Sequence, residues 1–160
     1  MQKIVRFILL VLCVTTLPAL AKPVRIPEFS LPSTNGPINQ NSFKGKVIYL
    51  DFWASWCKPC VKSFPWLNEL QNKYKNKGLV VLAINLDKDK TLADEFLKRI
   101  PANFTVAFDK EGKTPELFRV TGMPSSYLVD RKGYIQARHT GFREKDKARL
   151  EQAVVKLLQP

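Results

Sequence analysis

A chain of 160 residues, 45% of them hydrophobic, is long enough for one domain with a real core. Lys and Arg number 26 against 14 Asp and Glu, for a net charge of +12. Much of this excess is interleaved with acids and apolar residues: Arg143, Lys145, Lys147 and Arg149 alternate with Glu144, Asp146 and Leu150. That pattern describes a solvated exterior and gives no support to nucleic-acid binding; a weaker expectation is attraction to acidic proteins or an anionic membrane surface.

The first segment is predicted to lie outside the fold. Lys3 and Arg6 give a positive start, residues 7–17 are apolar apart from Thr15 and Thr16, and Ala19-Leu20-Ala21 supplies a small-x-small cleavage pattern. Cleavage after Ala21 predicts a signal peptide at 1–21 and leaves residues 22–160, with 24 basic against 14 acidic residues and a net charge of +10. Cys13 departs with that segment; Leu12 before it is large where a lipid-modification site wants a small residue. Retention as a membrane anchor is the alternative, although the apolar run is shorter than the roughly 20 residues of a spanning helix.

Residues 27–31 alternate, residues 32–37 are a dense turn signal, and Ile38 opens a second extended piece, which together predict an N-terminal hairpin. Residues 47–55 then form an apolar run suited to a strand buried on both faces. From Cys57 the spacing becomes helical through Val61, Phe64, Leu67, Leu70 and Tyr74, ending near Gly78, with Pro65 inside. Residues 79–84 are a second buried strand, 87–90 a charged loop, and Leu92, Ala93, Phe96, Leu97 and Ile100 a helix face. Residues 104–108 are extended, and Thr114 with Pro115 is predicted to cap and open a brief helix. Residues 125–129 and 134–139 are strands joined by the turn Asp130-Arg131-Lys132-Gly133, and a last helix is expected over about 144–158. Strand–helix–strand–helix followed by a hairpin and a helix implies an α/β sandwich with a mixed sheet.

The chemistry concentrates in Trp56-Cys57-Lys58-Pro59-Cys60, placed where a buried strand hands over to a helix N-terminus. Unpaired N–H groups and the positive end of the helix dipole favour an anion, so the first cysteine becomes a better thiolate. The second lies nearly one turn on, within reach of a small disulfide ring. A two-residue spacer constrains the unfolded chain very little, so a stabilising bridge is a poor explanation and a redox-active dithiol a good one. Asp51 is the one charge in an otherwise apolar strand. Burial without a partner would raise its carboxyl pKa and make it a proton acceptor for Cys60; a water-facing strand edge is the bland alternative.

The stretch Asp51-Phe52-Trp53-Ala54-Ser55-Trp56-Cys57-Lys58-Pro59-Cys60 resembles the active-site segment of thioredoxins, and Pro65 matches the proline of their active-site helix. With the preceding hairpin, the extra strand–helix segment at about 79–100 and the export signal, the chain is similar to the thioredoxin-like reductases of bacterial periplasms. The resemblance implies a three-layer sandwich with a mixed central sheet, helices on both faces and an N-terminal β-hairpin. It implies a periplasmic thiol–disulfide oxidoreductase, anchored if its leader is retained, that reduces protein disulfides in cytochrome c maturation or in related antioxidant and thiol chemistry. Cys57, the more exposed cysteine, would attack the substrate and Cys60 would resolve the mixed disulfide. Pro124 would be a cis proline beside the dithiol, leaving the Met123 backbone to pair with an extended substrate. Trp56, Lys58, Pro59 and Met123 would contact substrate or tune the pair. Protein thiol and disulfide substrates and a membrane or periplasmic thiol electron donor are the expected partners, with a monomer and no nucleic acid. No cofactor or metal beyond the redox-active disulfide is expected. Two departures stand out: Ser63 where many cytochrome-maturation relatives carry Glu, and Ser125-Ser126 after the proline.

The competing class is a Cu(I) carrier using Cys57, Cys60 and Met123, since soft sulfur ligands suit that ion. It has no use for Asp51 or a cis proline. A peroxidase would want a Thr-x-x-Cys nucleophile, and haem attachment would want His where Val61 stands. Trp53 is read as core, and His139, alone, as a surface strand residue rather than a ligand.

Overall fold

The computed structural model describes residues 23–159, so the predicted signal peptide at 1–21, with Cys13, lies outside the described residues. A six-stranded sheet runs in the order β1 (Val24–Arg25), β8 (Tyr134–Thr140), β7 (Ser125–Val129), β4 (Val47–Trp53), β5 (Leu79–Asn85), β6 (Thr105–Phe108). β4 and β5 pair in parallel, as do β5 and β6, while β7 joins β4 and β8 antiparallel. The sheet is therefore mixed. The expected hairpin forms a ladder of its own, β2 (Ser30–Leu31) with β3 (Ile38–Asn39). β1 adds a two-residue edge to β8, too short to carry any periodic signal.

All seven residues of β4 are buried, and their alternation builds two cores. Val47, Tyr49 and Trp53 face α1 (Lys58–Tyr74), α2 (Lys90–Arg99) and α4 (Lys147–Leu158). Ile48, Leu50 and Phe52 face Phe29 and Ile38 of the hairpin region and Phe118, which follows α3 (Lys113–Leu117). This is the expected three-layer sandwich, with one face covered by three helices and the other by the hairpin and one short helix. Each large apolar side chain buried on these faces stabilises by about 1.5–3 kcal/mol, which is why the central strand organises the rest.

α1 buries Cys60, Phe64, Leu67, Leu70 and Tyr74 at helical spacing. Pro65 lies inside it and deprives the Val61 carbonyl of its helical donor. A short 3-10 turn carries the chain to Gly78 at φ 95°, a left-handed end that suits glycine. The predicted cap of α3 is corrected: Gly112 occupies that position and Thr114 is the second helical residue. The capping work is done from outside by Asp109, whose carboxylate accepts from the Gly112 and Thr114 N–H groups and the Thr114 hydroxyl. The last helix begins as a 3-10 turn at Glu144–Asp146 before α4. Among the described residues no helix is long and apolar enough to cross a membrane.

Candidate active site

The parallel pair β4–β5 ends at Trp53 and Asn85, and the chain after β4 turns directly into α1. Three tethers fix that turn. The Cys57 N–H donates to the Ala54 carbonyl at 3.0 Å, and the Leu86 N–H to the Trp53 carbonyl at 2.9 Å. The third is Asp87, whose buried carboxylate accepts from the Ser55 N–H (2.8 Å), the Ser55 hydroxyl (3.0 Å) and the Asn85 side-chain amide (2.8 Å). Sequence placed Asp87 in a charged loop; its burial depends on the neighbouring strand end and leaves no local signal.

Cys57 is the N-cap of α1, with extended backbone angles, and Pro59 sits in the first turn, where its missing N–H costs nothing. Cys57 and Cys60 are joined in a disulfide, their Cα atoms 5.3 Å apart. The expected difference in exposure is small: Cys57 is 3% exposed and Cys60 fully buried. The helix end, rather than access, is what distinguishes them. Around them Lys58 and Pro59 are exposed, and Trp56 is 68% exposed, an aromatic in water beside the sulfur pair. Trp53 is core, stacked among Phe64 and Phe96.

The Met123–Pro124 peptide bond is cis, at the entry to β7. Pro124 is buried, and half-buried Met123 packs against the cluster that contains both cysteines. Ser63 is buried in α1, its hydroxyl donating to the Cys60 carbonyl at 3.1 Å, so it occupies the position as a local helix bond and brings no acid.

Asp51 is 1% exposed and lies on the α1 side of the sheet, which removes the water-facing alternative. It differs from expectation in having one partner: the Ser126 hydroxyl, directly opposite on β7, donates to Oδ1 at 2.7 Å. Oδ2 has no hydrogen-bond partner among the described residues. Burial pushes the carboxyl up to about 7, and the Ser126 bond pulls the other way. An acid half-ionised near neutral pH, on the face that carries Cys60, can both take and return a proton.

His139 lies on strand β8 as expected but is only partly exposed: the start of α4 covers part of its side chain, with Nδ1 3.3 Å from the Arg149 guanidinium and Nε2 3.8 Å from the Asp146 carboxylate.

The sequence profile of the Redoxin family matches residues 21–154. This chain belongs to the redoxin family. This redoxin is 36% identical over 132 residues to the thiol-disulfide oxidoreductase ResA of Bacillus thuringiensis subsp. konkukian (strain 97-27), covering 82% of this chain and 75% of that one. It is 31% identical over 121 residues to the ResA of Geobacillus kaustophilus (strain HTA426), covering 75% and 70% of the two chains. Among solved structures it resembles a Chlorobium tepidum protein provisionally named thiol:disulfide interchange protein DsbE, at 50% identity and a TM-score of 0.85, covering 88% of this chain and all of that one. The redoxin is thus a thiol–disulfide oxidoreductase of the thioredoxin superfamily, and the disulfide at the mouth of α1 is the group its geometry offers for that chemistry.

Proposed function

We propose that this redoxin is an exported reductase of protein disulfides, cycling Cys57 and Cys60 between dithiol and disulfide. The observation that carries the reading is a closely spaced cysteine pair at a helix N-terminus with a buried carboxyl, its pKa raised by burial, on the same side of the sheet. In the reduced protein the Cys57 thiolate attacks one sulfur of a substrate disulfide. A Cys57–substrate bond forms, and the other substrate sulfur leaves as a thiolate. Asp51 then takes the Cys60 proton. The Cys60 sulfur attacks Cys57, the Cys57–substrate bond breaks, and the two electrons of the dithiol have passed to the substrate. A thiol electron donor at the membrane or in the periplasm reopens the Cys57–Cys60 bond. Exposed Trp56 and the Met123 main chain supply the docking surface for an extended peptide, and Lys58 and Pro59 tune the pair.

Export is supported by the pattern at 1–21, and cytochrome c maturation by the resemblance of the Asp51–Cys60 stretch to reductases of that process. No resident cofactor or metal is needed for this cycle. Cys60→Ser is expected to accumulate a mixed disulfide with protein substrates, visible as a reductant-sensitive adduct, while Cys57→Ser forms none. If Cys60→Ser traps nothing, the assignment of attacker and resolver is wrong. The direction is read from the reduction potential: a value nearer thioredoxin's roughly −270 mV than the strong oxidant's roughly −120 mV supports a reductase.

A further inference from the structure

Asp51, Ser126 and His139 form one row across three adjacent strands, Asp51 opposite Ser126 and Ser126 opposite His139. Residues in such a row project to the same face, here the one beneath α4. Ser126 is bonded to Asp51 on one side, and on the other it lines a cavity of about 40 Å³ with Tyr49, His139, Arg149 and Ala153. A water needs only about 10–15 Å³, and the Ser126 hydroxyl and the His139 ring give this cavity polar walls. His139 Nε2 is buried with no hydrogen-bond partner among the described residues. Asp51 is 1% exposed and Cys60 fully buried, so a proton taken from Cys60 needs a defined way out.

We infer that Ser126 and the cavity behind it conduct the proton between Asp51 and solvent, with His139 as the outer base. The inference rests on the reading of Asp51 as acceptor for Cys60. Protonated Asp51 gives its proton to Ser126 Oγ as the Ser126 hydroxyl proton passes through water in the cavity to the His139 ring, at the Nδ1 lone pair that otherwise accepts from the Arg149 guanidinium, while Nε2 keeps its own proton. Asp51 regains its charge, Ser126 keeps one proton, His139 releases the other to solvent, and no electrons move. The Ser126-to-Asp51 hydrogen bond of the disulfide form is the arrangement such a transfer leaves behind. The groups facing His139 suit an outer base. They are Tyr49 from β4, Arg149 of α4, and Arg143 and Asp146 just before it. Burial first, then the two guanidiniums, hold its imidazole below the usual pKa against the opposing Asp146 charge, so it is a neutral base at pH 7. Ser126 and His139 are positioning residues, acting through Asp51.

The test follows ring closure by stopped-flow tryptophan fluorescence, mixing the reduced full chain with oxidised glutathione between pH 6 and 9. Positioned proton transfer contributes on the order of 10²–10⁴-fold, and Ser126→Ala is expected to slow closure at least about tenfold at pH 7. Ser126→Thr, which keeps a hydroxyl, is expected to restore the rate. His139→Gln is expected to make closure depend on added imidazole, a small base that can stand in for the lost ring. Asp51→Asn combined with Ser126→Ala is expected to be no slower than Asp51→Asn alone. A slow Asp51→Asn beside a wild-type Ser126→Ala would remove the conduit and keep Asp51. A wild-type rate in Asp51→Asn would remove both. Failure of Ser126→Thr to rescue, of imidazole to act, or full additivity in the double variant would reduce these residues to structure.

Discussion

Asp51 and Asp87 show how one residue type takes opposite roles through its hydrogen bonds. Both are buried, but Asp87 accepts three and Asp51 one. A buried carboxylate with three donors is compensated; one with a single donor stays costly to ionise. Asp51 has its folded pKa raised to about 7 from 3.8, so the folded protein holds this proton over a range where the unfolded chain has released it. Stability from this group is therefore fully present below about pH 4 and declines as pH rises to about 7, by an amount on the order of a few kcal/mol. Asp51→Asn lacks that titration. Its melting temperature is expected to exceed that of the parent at pH 8 and to converge with it near pH 4, in thermal melts of the oxidised protein. A parallel pH dependence in the two proteins would contradict a buried Asp51 whose pKa is raised to about 7. For Asp87 the expectation reverses: Asp87→Ala leaves the part-buried Ser55 N–H and the buried Asn85 amide without their acceptor and is expected to cost about 2–3 kcal/mol in denaturant unfolding.

At the scale of elements, α1 was legible because strand end, helix start and cysteine spacing all fall within one continuous stretch, and the structure places Cys57 at the cap as that stretch implies. β4, β5 and the β7–β8 hairpin followed from apolar runs and the turn between them. What escaped are features made by distant contacts. Ser126 carried only a departure from a family pattern, yet its partner lies 75 residues away in sequence. His139 looked solitary because Asp146 and Arg149 meet it only after α4 folds back over β8. α3 makes the same point. A Thr-Pro pair has the composition of a helix start, but Asp109, at the end of β6, takes the donors first and moves the start to Lys113. Asp109→Ala is accordingly expected to loosen α3 by about 1–2 kcal/mol, the worth of a lost cap. The check is amide exchange at Phe118 and Val120, whose N–H groups bond to the Thr114 and Pro115 carbonyls: exchange there should quicken roughly tenfold or more, with β4 unaffected.

On the scale of the molecule, the redox end and the opposite end of the sheet are held by different means. β4 runs seven residues from Val47 to Trp53, and everything chemical lies at or past its last turns of the pleat, from Asp51 onward. At the other end Arg131, in the turn between β7 and β8, donates to the Gly45 carbonyl before β4 (3.2 Å), to Lys77 after α1 (3.1 Å) and to Leu158 at the end of α4 (3.4 Å). One side chain thus joins four segments far apart in sequence. Its guanidinium lies 2.7 Å from where a side chain on Gly78 would begin, so glycine there serves both the left-handed φ and the space Arg131 fills. These bonds are solvent-exposed, and a charged donor to a carbonyl is worth about 1.5–3 kcal/mol at best, less in water. Arg131→Ala is expected to lower unfolding free energy by about 1–2 kcal/mol with an unchanged denaturant slope. Lys at this position is expected to recover little, because a single ammonium cannot present the planar fork that reaches three carbonyls. With the clasp a strand's length from the dithiol, the rate of Cys57–Cys60 ring closure well below the melting temperature should match that of the parent. A change in that rate larger than the loss of stability would mean that the two ends are coupled through β4.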